Sequence, residues 1–131
     1  TVNPSIPSTL DAAALCKMAD RRQITGGILD GPLAFDNAIS MQAAQIKDIN
    51  SPVAGQADIL AVPDLESGNM LAKQLDYLAG ASSSGIVLGA RVPIALTSRA
   101  EGPQARVASA LLSRLVAHHR SRTAASESSV G

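Results

Sequence analysis

The sequence predicts an α/β fold with a mostly parallel sheet and helices on both faces. Three observations predict it. Short apolar runs such as residues 24–30 and 58–62 lack the in–out alternation of a sheet wetted on one face. Stretches with apolar residues at helical spacing separate those runs. Hydrophobic residues make up 46% of the 131-residue chain and aromatics only 2%, a mixture of small and branched aliphatics that lets helices approach a buried sheet closely.

Taken in order, residues 2–7 form an extended lead-in. Ser8 is placed to cap a helix, with Asp11 three residues on as a capping-box partner. Ala12, Leu15 and Ala19 continue it to about Arg21. Residues 24–30 follow as a buried strand stopped by Gly31-Pro32. Asp36 or Ser40 begins a second helical stretch reaching about Ile46, and Asn50-Ser51-Pro52 with Gly55 marks a loop. Residues 58–62 are a second buried strand, broken by Pro63. The clearest helix is 68–79, with Leu71, Leu75, Leu78 and Ala79 on one face and Gly80 as its stop. Residues 85–88 and 93–96 are two more short strands. Pro103 suits the first turn of a last helix, whose apolar stripe is Val107, Ala108, Leu111, Leu112, Leu115 and Val116. From Ser121 onward the Ser, Thr and Ala composition predicts a disordered tail. In such a fold ligands bind beyond the carboxyl ends of the strands. Here those ends are Asp30-Gly31-Pro32, Pro63-Asp64-Leu65 and Thr97-Ser98-Arg99.

Eleven basic residues balance eleven acidic ones, so no global field draws nucleic acid or an anionic membrane. The scarcity of aromatics argues against single-stranded nucleic acid as well. No apolar run approaches membrane-spanning length. The single Cys16 cannot form an intramolecular disulfide, which favours a reducing, cytoplasmic setting. The opening lacks a Met and is rich in proline, as expected of a cut from a longer chain.

Several chemistries fail on spacing. Gly26 to Gly31 and Gly80 to Gly85 have the glycine separation of a phosphate loop, but Pro32 and Ile86 stand where Lys-Ser/Thr is needed. No Gly-x-Gly-x-x-Gly follows a strand. His118 and His119 point about 100° apart on a helix and do not suit one metal ion. Beside Arg114, Arg120 and Arg122 they read as cations complementing a helix end, so no metal site is expected. Cys16, beside Leu15, reads as a small core or boundary residue.

Four segments in order carry a resemblance. They are Asp30-Gly31-Pro32-Leu33-Ala34-Phe35-Asp36, Ser51-Pro52-Val53-Ala54-Gly55-Gln56-Ala57-Asp58, Val62-Pro63-Asp64-Leu65-Glu66-Ser67-Gly68-Asn69, and Leu96-Thr97-Ser98-Arg99. Together they resemble the phosphate acetyl/butyryltransferase family, over residues 3–117. The likeness is closer to its butyryl-type branch, including forms fused behind a hydratase-like domain. The resemblance implies two α/β domains of the isocitrate/isopropylmalate dehydrogenase-like fold, with the active site in the cleft between them. On it, residues 1–88 are most of the second domain, 89–120 a strand and helix returning to the first, and 121–131 the tail. It also implies a cytoplasmic homodimer that moves an acyl group between phosphate and coenzyme A. Coenzyme A is then a substrate and no cofactor is needed.

A thiol attacking an acyl phosphate needs help losing its proton, stabilisation of developing charge, and a hold on the phosphate. The planar fork of an Arg suits phosphate oxygens, and a Ser adds a neutral hydrogen bond. By resemblance, Ser98 and Arg99 are the catalytic pair, with Arg99 stabilising transition-state charge. The plainer reading is an Arg paired with a surface carboxylate. Acetyl-transferring members carry an Asp seven residues after that Ser as a proposed base, where this chain has Ala105. Either the thiol is activated otherwise, or Glu101 substitutes, or the chain is inactive, and the base stays unassigned.

Asp64, Gly68 and Asn69 enter the strongest helix, where they either contact acyl phosphate or coenzyme A or serve as cap and turn. Gly55 serves backbone conformation beside the ligand, and Asp36 and Asn37 read as cap and turn. A different class remains open: a non-catalytic α/β interaction or regulatory module that kept the fold and lost the chemistry. With half the cleft missing, the chain alone is expected to be inactive and to expose an apolar stripe on its last helix.

Overall fold

Proline has no N–H to leave unbonded and a φ already helical, so it opens a helix at little cost. Pro7 does this for Pro7–Asp20 (α1) in the structure, a computed structural model that describes residues 1–128, with side chains through residue 122. Ile6 is the N-cap and no side chain caps this helix, so the expected Ser8 cap is displaced into the first turn. Thr9 instead ties the lead-in to the first turn: its hydroxyl accepts the Asn3 N–H at 2.9 Å and donates to the Ile6 carbonyl at 2.8 Å.

The chain divides into two compact units, Thr1–Ser67 and the residues from Gly68 onward. In the first, Phe35–Ile39 (α2) and Met41–Ile46 (α3) are separated only by Ser40, whose Oγ accepts the Ala43 N–H at 3.2 Å. That side chain starts α3, as the sequence predicts for Ser40, whereas Asp36 lies inside α2. Ala38, Ala44 and Ala54 are buried, with Asn37 beside them in sequence. The loop that follows is tied down by its backbone. Gly55 N–H donates to the Asn37 carbonyl at 2.7 Å and Ala57 N–H to the Ala38 carbonyl at 3.0 Å. Gly55 has φ +84°, and a Cβ there would lie 2.5 Å from Met41 Cα, so glycine is required on both counts.

In the second unit, Gly85–Val87 (β1, numbered after helix α4 below) and Ile94–Leu96 (β2) pair antiparallel, Ile86 opposite Ala95. Pro103–Ser128 (α5) packs on both strands. Ser109 is fully buried at that contact. Its Oγ accepts the Gly85 N–H at 3.0 Å and donates to the Ala105 carbonyl at 2.9 Å, stitching helix to strand. Leu65–Tyr77 (α4) starts three residues before the predicted 68–79. Past its end, Gly80 adopts φ +65° and Ala81 N–H donates to the Leu75 carbonyl at 3.0 Å, so Gly80 closes it as expected.

The α/β mixture holds, but the sheet among the described residues is this two-stranded antiparallel pair rather than a mostly parallel one. Residues 24–30 and 58–62 form no strand, and Ile28 and Ile59 are 72% and 87% exposed. The reason is local. Residues 88–93 alone join β1 to β2, too few for the crossover that parallel pairing requires. Among the described residues the other two runs pair with no strand.

The apolar stripe of α5 also divides. Leu112 and Val116 are half-buried on the side of Ser109, while Val107, Leu111 and Leu115 are more than half exposed. Helix α5 runs on through Ser121 to Ser128, where the composition predicts a tail; residues 129–131 of that tail lie outside the described residues.

Candidate functional site

Between β2 and α5 the chain makes one tight turn. Glu101 N–H donates to the Ser98 carbonyl at 3.2 Å, and Ala100 N–H points to Ser98 Oγ at 3.4 Å. The serine therefore shapes the turn with its own side chain. Ser98 is half-buried and Arg99 exposed. No hydrogen bond or ion pair holds the Arg99 guanidinium among the described residues, whose ion pairs are Lys17–Asp20, Lys47–Asp36 and Lys73–Asp76. Its charge is thus available to an external anion, and the surface-carboxylate reading lacks its carboxylate. The turn leads straight into the first turn of α5, where backbone N–H groups lack helical partners.

A cleft of about 430 Å³ opens beside this turn. Asp76, Tyr77, Ser82 and Ser83 line one part of it, and Glu101, Gly102, Gln104 and Ala105 another. Arg99 is not among its lining residues. Sequence reasoning passed over the Ser82-Ser83-Ser84 run that follows Gly80, the signal that could have flagged the first set. Ala105, where an acidic side chain is missing, faces the same cleft as Glu101.

The other predicted residues divide between the two units, and each is described in its own. Asp64 is an exposed cap: its Oδ1 accepts the Ser67 N–H at 2.7 Å. That hydrogen bond, with a second from the Ser67 side chain, holds the Asp64 carboxyl below the ordinary carboxylate range. Gly68 and Asn69 lie within α4 rather than in a loop before it, because the Asp64 cap sets the helix start at Leu65. Asp36 is also held below its ordinary value, chiefly by its hydrogen bond from Lys47 at 2.6 Å.

Cys16 is half-buried, its Sγ 3.7 Å from the Gly31 carbonyl. Burial first, then the carboxylates of Asp30 and Asp20, push its thiol up, which leaves it a poor nucleophile. His118 and His119 lie inside α5 and not at its end, so they do not complement a carboxyl terminus as the sequence predicts. The last turn of α5 carries no basic residue at all.

Residues 1–113 match the family model described as phosphate acetyl/butaryl transferase. The chain is 65% identical over 120 residues to a phosphate acetyltransferase of Rhizobium meliloti, covering 92% of this chain and 38% of that protein. It is 46% identical over 119 residues to a phosphate butyryltransferase of Clostridium acetobutylicum, covering 91% and 40%. These identities do not single out the butyryl branch. Among solved structures, a branched-chain phosphotransacylase from Enterococcus faecalis V583 superimposes with a TM-score of 0.74 at 32% identity, over 87% of this chain and 41% of that one. The chain thus spans about two fifths of the length of each of these three proteins.

Proposed function

Because the chain belongs to the phosphate acetyl/butyryl transferase family, we propose that the complete protein transfers an acyl group between phosphate and coenzyme A. The observation that carries this beyond the family name is the 98–101 turn, which exposes an uncommitted guanidinium at the end of β2. In the proposed reaction Arg99 binds the acyl-phosphate oxygens and stabilises the charge that grows as the thiol attacks. Ser98 adds a hydrogen bond to the same group. Coenzyme A is a substrate, and no resident cofactor takes part.

The finer fold belongs to the same proposal. Residues 24–30 and 58–62 become strands of a mostly parallel sheet in the complete, two-domain dehydrogenase-like protein, which supplies the backbone partners absent here. In it 1–88 and 89–120 serve different domains, and the cleft between domains holds the substrates. Asp64, Gly68, Asn69 and Gly55 stand at that cleft, besides the cap and turn duties already described. The protein works as a cytoplasmic homodimer; among the described residues no helix is long and apolar enough to cross a membrane.

The test is direct. The complete protein is assayed for acyl-CoA formation from acetyl phosphate and from butyryl phosphate. Turnover with one or both is expected, and none with either rejects the proposal.

A further inference from the structure

Three buried side-chain oxygens among the described residues have no hydrogen-bond partner: Asn37 Oδ1, Glu101 Oε2 and Ser113 Oγ. Only Glu101 among them is ionisable, and of the three it alone lines the 430 Å³ cleft. A carboxylate oxygen shielded from water without a donor is costly, so such a group calls for an explanation. Because Glu101 lines the cleft, a rotation of its side chain would bring that oxygen to a donor bound there.

Glu101 is not the only acid there, but the other is engaged. Asp76 stands 3.8 Å from Lys73 Nζ, and that ammonium also lies 5.8 Å from the ring of Tyr77. Asp76, Tyr77 and Glu101 are the titratable groups lining the cleft, and neither Ala105 nor Ala108 of α5 can take a proton. The Ser98 carbonyl accepts the Glu101 N–H, so the Glu101 backbone belongs to the same turn that presents Arg99. The missing acid at Ala105 and the unpartnered acid at Glu101 therefore face one space.

We propose that Glu101 is the base that takes the proton from the coenzyme A thiol, and that the cleft beside it admits the thiol-bearing end of that substrate. The inference rests on the acyltransferase reading above. As the Glu101 carboxylate accepts the S–H proton, sulfur bonds to the acyl carbon. The bond from that carbon to the phosphate oxygen breaks, and its electron pair leaves with phosphate. Glu101 then returns the proton to the departing phosphate, so thiol and acyl phosphate become thioester and hydrogen phosphate with nothing left over.

The experiment compares the complete protein with its Glu101→Gln, Glu101→Asp and Asp76→Asn variants, measuring kcat and KM against pH with acetyl or butyryl phosphate. If the unaltered protein turns over neither substrate, the acyltransferase reading itself fails. If it is active, Glu101→Gln should lower kcat by about 10²- to 10⁴-fold and remove the fall in rate at low pH, leaving KM for acyl phosphate unchanged. Asp76→Asn should keep that fall. Normal kcat and pH profile in Glu101→Gln, or loss of the acid limb in Asp76→Asn instead, overturns the assignment while leaving the acyltransferase reading intact. Should Glu101→Gln not fold, Glu101→Asp decides: a reduced kcat with the acid limb kept supports it, and an unchanged kcat overturns it.

Discussion

An Arg with no partner among the described residues, on an exposed turn, gives the protein little stability, so its removal is expected to act on function. Arg99→Ala in the complete protein should lower kcat/KM by about a hundredfold or more, with the thermal midpoint unchanged. Arg99→Lys should restore only part of that, because an ammonium lacks the two-pronged fork. Steady-state kinetics with a parallel melting curve checks both. Gly55 presents the opposite case. At φ +84°, with a Cβ 2.5 Å from backbone atoms of Met41, Gly55→Ala should cost roughly 2–5 kcal/mol of stability, read by denaturant unfolding. Ser98-Arg99 stands out in the sequence as a candidate because a predicted strand end and a matching motif coincide there, and the structure puts the pair in the turn after β2. Gly55 was legible as a turn glycine. The Glu101 carboxylate could be named from sequence but not chosen, since only three-dimensional structure shows that Asp76 and Glu101 share a cleft with Ala105 and that Asp76 is the one beside a lysine.

Local bonding decided the elements, and the sequence is legible wherever it carries that bonding. Ser40, Asp64 and Gly80 mark helix ends through their own side chain or backbone, and each marks one in the structure. Ser8 misled because Pro7, one residue earlier, already fixes the helical φ. The runs 24–30 and 58–62 have the composition of buried strands, yet a strand needs a neighbour, and apolar composition cannot say where that neighbour comes from. Nor could periodicity single out Ser109, a polar residue on the face of α5 that meets the strands. Its hydroxyl joins Gly85 N–H to the Ala105 carbonyl at the root of the candidate site. Ser109→Ala removes the acceptor and leaves a shielded N–H without a partner. The expected cost is about 1–3 kcal/mol, measured as a lowered unfolding midpoint. Because β2 and α5 flank the 98–101 turn, kcat/KM should fall with it, and by less than in Arg99→Ala.

On the scale of the whole molecule, apolar surface is the dominant fact. Among the described residues the buried apolar side chains are three alanines, while Ile28, Ile46, Ile59, Leu65, Leu78 and Leu88 are each more than 70% exposed. At about 25 cal/mol per Å² of apolar area, surface left in water on this scale forgoes much of the drive that folding usually draws on. The chain spans about two fifths of its relatives' length, and in the proposed complete protein that surface meets other parts of the fold. Without them, association is the cheapest way to cover it. Val107, Leu111 and Leu115 give α5 a continuous exposed row at helical spacing, suited to packing against an equivalent row. The 131-residue chain expressed alone should therefore self-associate, with a weight-average mass by light scattering that rises with concentration. Replacing Leu111 and Leu115 with Glu should lower that mass if the row drives association, since charge on it must be desolvated or repelled. A chain that stays monomeric at every concentration would mean that this apolar surface is covered by rearrangement within a single molecule.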